Sequence, residues 1–330
     1  MRAVMCVEPG ELAVRDVPDR IPEPDAIEID VCSVGICGTD FHILLGKHPF
    51  LTYPIVLGHE ISGRVVADSD DGRFAAGDLV VVNPYMSCGK CRACLAGKPN
   101  CCESLSVLGV HVDGGLRARI PIPAGNLYPA DGLNERSASM VEFLAVGAHG
   151  VRRAGDCSGK GVLVVGAGPI GIGAALFARM AGGSITFRDV SETRLDLATS
   201  ILPADISLVG DGHDDRLRSA FDIVIDATGN AGSMSRSLDY LAHGGTYVLL
   251  GVVNDTLSFS DPDIHKREAS IHASRNAVRE DFYTVMNAMR AGDIPVDKLN
   301  THATDFDNAA DAMMAWVNDR ESLVKATVRL

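Results

Sequence analysis

Apolar and polar positions divide this chain into two textures. Up to about residue 140, β-branched runs at 26–34, 61–67 and 78–82 read as short strands, and the Gly- and Pro-broken loops between them carry most of the Cys and His. From Gly161 onward, apolar runs at 162–165, 184–188, 206–209, 222–226, 246–250 and 269–273 read as further strands. Helix patterns at 169–181, 191–201 and 232–241, with a short polar segment at 214–219, lie between them. Strands alternating with helical crossovers predict a parallel sheet covered on both faces. After Arg275 come helix patterns at 279–289 and 307–318 and an apolar strand at 324–330, a tail too short to fold alone. The pattern therefore predicts an α/β chain: a doubly wound parallel sheet over 145–274, inserted into a β-rich domain made of 1–144 plus 275–330.

A length of 330 residues agrees with two domains. The net charge of −13 argues against nucleic acid or anionic lipid as a partner. No stretch approaches the roughly 18 unbroken apolar residues of a membrane span, and the start, Met1-Arg2-Ala3-Val4, has no secretory pattern. A cytoplasmic protein is expected. In that compartment nine cysteines point to metal or catalysis before disulfides.

Cys88-x2-Cys91-x2-Cys94-x7-Cys102 places four thiols on one loop. Four thiolates can enclose a tetrahedral Zn²⁺ with no position left for water, which makes a structural site. Ser87, Gly89, Lys90, Arg92 and Gly97 could not build a core for that loop, so a metal crosslink has work to do there. Two disulfides or reduced thiols are the competing readings, and Cys101 competes with Cys102 as fourth ligand. A second set is dispersed: Gly35-Ile36-Cys37-Gly38-Thr39-Asp40-Phe41-His42, Gly58-His59-Glu60 and Glu142. A catalytic zinc needs about three protein ligands and one open position. Cys37, His59 and Glu142 can supply the three, with Glu60 the competing carboxylate. Singly, each has a bland reading as a buried thiol, a core histidine or a solvated acid.

Val162-Leu163-Val164-Val165-Gly166-Ala167-Gly168-Pro169-Ile170-Gly171 is an apolar strand running into G-x-G-x-x-G at a helix start. Gly166 permits the tight turn, Gly168 lets backbone approach a pyrophosphate, and Gly171 allows close packing of helix on strand. Pro169 and Ile170 open the helix. Asp189, at the end of the second strand, suits the adenosine ribose hydroxyls and favours NAD over NADP; Arg188 and Arg194 lie close by.

Together these segments resemble the zinc-containing medium-chain alcohol dehydrogenase family over nearly the whole chain. G-x-C-G-x-D stands at 35–40, G-H-E at 58–60, the four-Cys lobe at 88–102 and G-D-x-V at 77–80. The third ligand region, often Glu-Pro in the polyol branch, reads Val141-Glu142-Phe143 here. Segments 107–115 and 272–277 look most like the polyol and sugar-acid branch, L-galactonate 5-dehydrogenase-type enzymes in particular. The resemblance implies a GroES-like catalytic domain holding a Rossmann domain, two zinc ions per chain, NAD, a small polyhydroxy substrate and a homodimer or homotetramer. It implies that Thr39 accepts the alcohol proton and passes it toward His42, that Asp40 orients a ligand imidazole or organises the groups around the metal, and that Arg275 contacts substrate. Rival readings are a threonine or simple alcohol dehydrogenase of the family, a zinc-free quinone reductase on the same fold, and a non-enzymatic NAD-binding sensor.

Overall fold

The computed structural model describes residues 1–19, 25–47 and 51–330. The chain divides into two units, Met1–Glu142 with Val285–Leu330, and Phe143–Thr284. The first crossing falls at 142/143, within the helix Val141–Ala154. The second falls at 284/285, inside the helix Arg279–Ala291, where the apolar pattern suggests 274/275. The reason is Asp281, on the first turn of that helix. Its carboxylate accepts from Arg152 Nε at 2.8 Å and lies 2.8 Å from His149 Nδ1, so the helix start is tied to the second unit.

In the first unit, alternation sets the sheet. Along Ala26–Ile36, Ile27, Ile29 and Val31 turn inward while Glu28 and Asp30 turn outward, and from Ser33 to Ile36 every side chain is buried. Among the described residues the strand order is Leu127–Pro129, Leu79–Val82, Glu60–Val65, Ala26–Ile36, Lys325–Arg329, Asn300–Asp305; Arg119–Pro123 also pairs with Ala26–Ile36. Neighbours are antiparallel except the last two, which are parallel. The register sets Gly35 opposite both Glu60 and Thr327, which brings the end of the C-terminal strand beside the G-H-E segment. The hairpin Arg2–Glu8 and Glu11–Asp16 packs on the same apolar core, which gathers Val4, Ile29, Ile36, Val56, Leu116, Ile120 and Val328. Burial of each such side chain contributes about 1.5–3 kcal/mol.

The second unit is a parallel sheet in the order Ile206–Val209, Ser184–Asp189, Gly161–Val165, Phe221–Asp226, Leu241–Leu249, Ser270–Ala273. The expected helix at 232–241 is shorter. An α-helix spans Ala231–Arg236, a 3-10 turn covers Ser237–Tyr240, and Leu241 already pairs with Phe221 ahead of a register shift. The buried Asp226 explains the break, since both Ser233 Oγ and Ser237 Oγ donate to its Oδ2, at 3.0 and 2.8 Å. The polar segment at 214–219 forms one 3-10 turn, Asp215–Leu217. Among the described residues no helix is long and apolar enough to cross a membrane.

Candidate metal centres and cofactor pocket

The four-Cys loop closes on itself. The Sγ atoms of Cys88, Cys91, Cys94 and Cys102 all lie within 4.8 Å of one another. Every described cysteine is free, and Cys91 and Cys94 stand 3.5 Å apart, far longer than a disulfide. Cys102 is buried in the group, whereas Cys101 is exposed and outside it. Backbone N–H donors pull the Cys91 thiol down to about 6. Four sulfurs at this spacing suit one tetrahedral ion with metal–sulfur bonds of about 2.3 Å.

The dispersed set also converges, and the reason is local. Cys37 caps the helix Gly38–Leu44: its Sγ accepts from Thr39 N at 3.2 Å, while Asp40 Oδ2 accepts from Cys37 N at 2.9 Å. Asp40 Oδ1 accepts from Gly58 N at 3.3 Å, joining the cap to the G-H-E segment. His59 Nε2 then stands 3.0 Å from Cys37 Sγ, close enough for one ion to touch both. Its Nδ1 faces Asp40 Oδ1 at 3.8 Å and has no hydrogen-bond partner of its own. His59, Glu60 and Glu142 form a second group within 4.8 Å, so His59 is common to both. Burial would lower the His59 imidazole, but Cys37, then Asp40 and Glu142, beside it push it well above its ordinary value. A buried pocket with that field favours a cation.

The two carboxylates differ in what holds them. Glu60 is fully buried and both its oxygens accept from Lys325 Nζ, at 2.7 and 2.8 Å. It fits because Gly35 has no side chain: a Cβ there would lie 2.1 Å from Glu60 Oε2. Burial would lower Lys325, but Glu60 and Cys37 hold it up, so it stays charged. Glu142 instead accepts a hydrogen bond from the buried Tyr85 hydroxyl. Burial first raises its carboxyl, to about 7, with Glu60 adding to the rise and His59 and Tyr85 opposing it. Tyr85 and Lys325 are absent from the residues picked out of the sequence. Lys325 left a trace there, one of two cations in the run 324–330 and the one set among its apolar first residues, since a charge in a buried strand needs a buried partner.

Thr39 and His42 lie three residues apart on one face of the helix Gly38–Leu44, with no hydrogen bond joining them. Partial burial, then the positive Arg320 and Lys47, hold the His42 imidazole below its ordinary value.

In the second unit a cavity of about 250 Å³ opens at the carboxyl ends of the strands. Gly166, Gly168, Asp189 and Arg194 line it. The helix Pro169–Met180 starts there with Gly168 as its N-cap and no side-chain cap, and a Cβ on Gly168 would meet nothing within 4 Å. A Cβ on Gly171 would lie 1.8 Å from Gly166 O, so that position admits only glycine. Pro169 and Ile170 complete the first turn. Asp189 Oδ2 accepts from Ala167 N at 2.7 Å and Oδ1 from Ser191 N at 2.9 Å, which leaves each oxygen further accepting capacity. Helix start, open backbone and oriented carboxylate are the parts a dinucleotide needs. Arg275 is exposed just beyond the strand Ser270–Ala273.

Comparison with known proteins agrees with both regions. Residues 23–132 match the alcohol dehydrogenase GroES-like domain, and residues 169–291 match the zinc-binding dehydrogenase family. The chain is 40% identical over 335 aligned residues to L-galactonate-5-dehydrogenase of Escherichia coli K12, covering 99% of this chain and 98% of that one. It is 32% identical to D-altritol 5-dehydrogenase of Agrobacterium fabrum, over 84% and 85% of the two chains. Among solved structures, an alcohol dehydrogenase of Escherichia coli CFT073 complexed with cofactor NADH superposes with a TM-score of 0.92 at 28% identity, covering 100% of this chain and 99% of that one. With two thiolate-bearing centres, a glycine-rich pocket and these relatives across its whole length, the chain belongs to the zinc-binding medium-chain alcohol dehydrogenase family.

Proposed function

We propose that this protein oxidises a secondary alcohol of a sugar acid or polyol, in the manner of an L-galactonate 5-dehydrogenase, with NAD as acceptor and two zinc ions per chain. The observation that carries the reading is the pairing of half-buried Cys37 with buried His59, Sγ and Nε2 3.0 Å apart, with the Glu142 carboxylate beside His59. Cys37, His59 and Glu142 are the residues that would hold the catalytic ion, while Lys325 keeps Glu60 beside them and occupies both its oxygens. Cys88, Cys91, Cys94 and Cys102 would hold the structural one. Zinc in the open site supplies Lewis-acid polarisation of the alcohol oxygen, and NAD supplies the hydride acceptor.

The chain's own residues do the rest. Asp40 holds the Cys37 backbone and faces His59 Nδ1, which orients the imidazole. Thr39 takes the alcohol proton, and His42, held in its neutral form, is the base that receives it from the relay. Gly166, Gly168, Pro169, Ile170 and Gly171 cradle the pyrophosphate, with Asp189 and Arg194 at the adenosine ribose. Arg275 contacts the polyhydroxy substrate. The relatives' names support the substrate class, and the NADH-bound neighbour supports the cofactor. A cytoplasmic homodimer or homotetramer completes the reading.

The test is a panel of hexonates, polyols and amino alcohols with NAD, run on protein of measured zinc content. Turnover of a sugar acid or polyol by protein carrying two zinc ions per chain supports the assignment. Preference for an amino alcohol moves it to the threonine branch, and bound NAD without any alcohol-dependent reduction leaves a sensor.

A further inference from the structure

One wall of the cofactor pocket is held by a cation to which the dehydrogenase reading gives no role. Arg188 precedes Asp189 on the strand Ser184–Asp189 and is buried. Its Nε donates to the Gly210 carbonyl at 3.2 Å, and a second guanidinium nitrogen donates to the Gly212 carbonyl. Its Cζ stands 4.9 Å from the centroid of the Tyr240 ring, and the Tyr240 hydroxyl donates to that same Gly212 carbonyl at 3.3 Å. Gly210, Tyr240, Arg188 and Asp189 all line the cavity.

The loop at 210–212 has little else to hold it. A Cβ at Gly210 or Gly212 would meet nothing within 4 Å, so neither backbone is braced by close packing. Gly210 N donates to the Asp189 carbonyl at 2.8 Å, which secures one end. The far end is secured by Arg188 and the Tyr240 hydroxyl. A guanidinium can donate to two carbonyls in one plane while its face stacks on an aromatic ring; an ammonium cannot do all three at once. Arg194 and Arg236, which line the same cavity, carry no such side-chain bonds.

We propose that Arg188 is a positioning residue for the adenosine half of the cofactor: it fixes the 210–212 loop and Tyr240 as the wall beside Asp189, and, held by those partners, it does not reach a 2′-phosphate. This rests on the cavity being the NAD site. Arg188 touches no reacting atom and acts through the loop and the ring.

The experiment is calorimetric titration of the zinc-loaded protein with 5′-AMP, 2′,5′-ADP and nicotinamide mononucleotide, on wild type, Arg188→Met, Arg188→Lys and Tyr240→Leu. Arg188→Met is expected to weaken 5′-AMP about tenfold, the usual scale for losing a charge-assisted hydrogen-bond pair. Arg188→Lys should recover part of that loss, and Tyr240→Leu should weaken 5′-AMP about threefold. Nicotinamide mononucleotide, which lacks the adenosine half, should bind wild type and Arg188→Met alike, a ratio that general loosening of the fold would not preserve. Should Arg188→Met fail to fold, Arg188→Lys and Tyr240→Leu carry the same comparison. Wild-type affinity for 5′-AMP in all three variants overturns the proposal. So does a loss of 2′,5′-ADP binding in Arg188→Met that exceeds the loss of 5′-AMP, because the guanidinium would then be reaching the 2′-phosphate. Wild-type protein that binds neither 5′-AMP nor NAD overturns the cofactor reading itself, and this proposal with it.

Discussion

The two thiolate centres of the first unit are built on opposite principles. The lobe from Cys88 to Cys102 is one stretch of chain whose four sulfurs meet over partly exposed, mostly small or charged neighbours. The other centre gathers side chains from distant segments around His59, with Cys37 and Asp40 on one side and Glu60 and Glu142 on the other, and its surroundings are buried: Asp40, Glu60, Tyr85 and Lys325 are each engaged by a specific partner. In the lobe an ion would substitute for a hydrophobic core. In the buried centre the core already exists, and the fold uses it to place charges where water would otherwise have to solvate them. The lesson is that loss of a ligand should be read as lost stability in the first case and as lost chemistry in the second.

Breaking that contrast begins with Cys37→Ala. Its expected outcome is a fall in kcat/KM of about 10³-fold or more, with the melting temperature and NAD binding little changed. A variant that keeps turning over alcohol would place the reaction elsewhere. Next in size is Lys325→Met, which strands the Glu60 carboxylate in a dry interior and should destabilise the first unit by about 3–5 kcal/mol in denaturant unfolding. Lys325→Arg should lose little, and Glu60→Gln combined with Lys325→Met should regain most of the loss. A single Lys325→Met variant as stable as wild type would mean the pair is not dry.

Cys91→Ser tests the lobe. Opening a crosslink over a loop of about 15 residues costs about 3 kcal/mol by loop closure, so the lobe should become sensitive to protease while zinc falls from two ions to one per chain. Turnover should stay within about threefold of wild type. If it vanished while the lobe stayed protease-resistant, the two centres would have exchanged roles. Smallest is Tyr85→Phe, which removes the hydroxyl bonded to Glu142. Support of this kind is worth about 10–100-fold in metal affinity or activity, and metal titration should show that loss at the buried centre alone.

Legibility in the sequence followed how far apart the cooperating residues lie. The parallel sheet was readable because each of its strands is a short apolar run bounded by turns or helix patterns, and the glycine motif sits on contiguous residues from Gly166 to Gly171. The four-Cys spacing was readable for the same reason, although only burial separated Cys102 from Cys101. Two elements were not read: the hairpin Arg2–Glu8 and Glu11–Asp16, and the helix Val141–Ala154. The helix pattern at 232–241 misled because Asp226, buried at the end of the preceding strand, claims Ser233 and Ser237, a contact that no apolar period records.

What the sequence determined alone was local: strand and helix periods, the glycine turn, and thiols spaced for one ion. Tertiary structure alone decided which carboxylate is restrained by a cation and which by a hydroxyl. It also gave Arg188 to a loop and a ring in place of an open cavity. Those outcomes depend on which segments the fold brings together, from the loop 22 residues after Arg188 to Lys325, 265 residues beyond Glu60. A buried charge is stable only where a specific partner arrives at hydrogen-bonding distance.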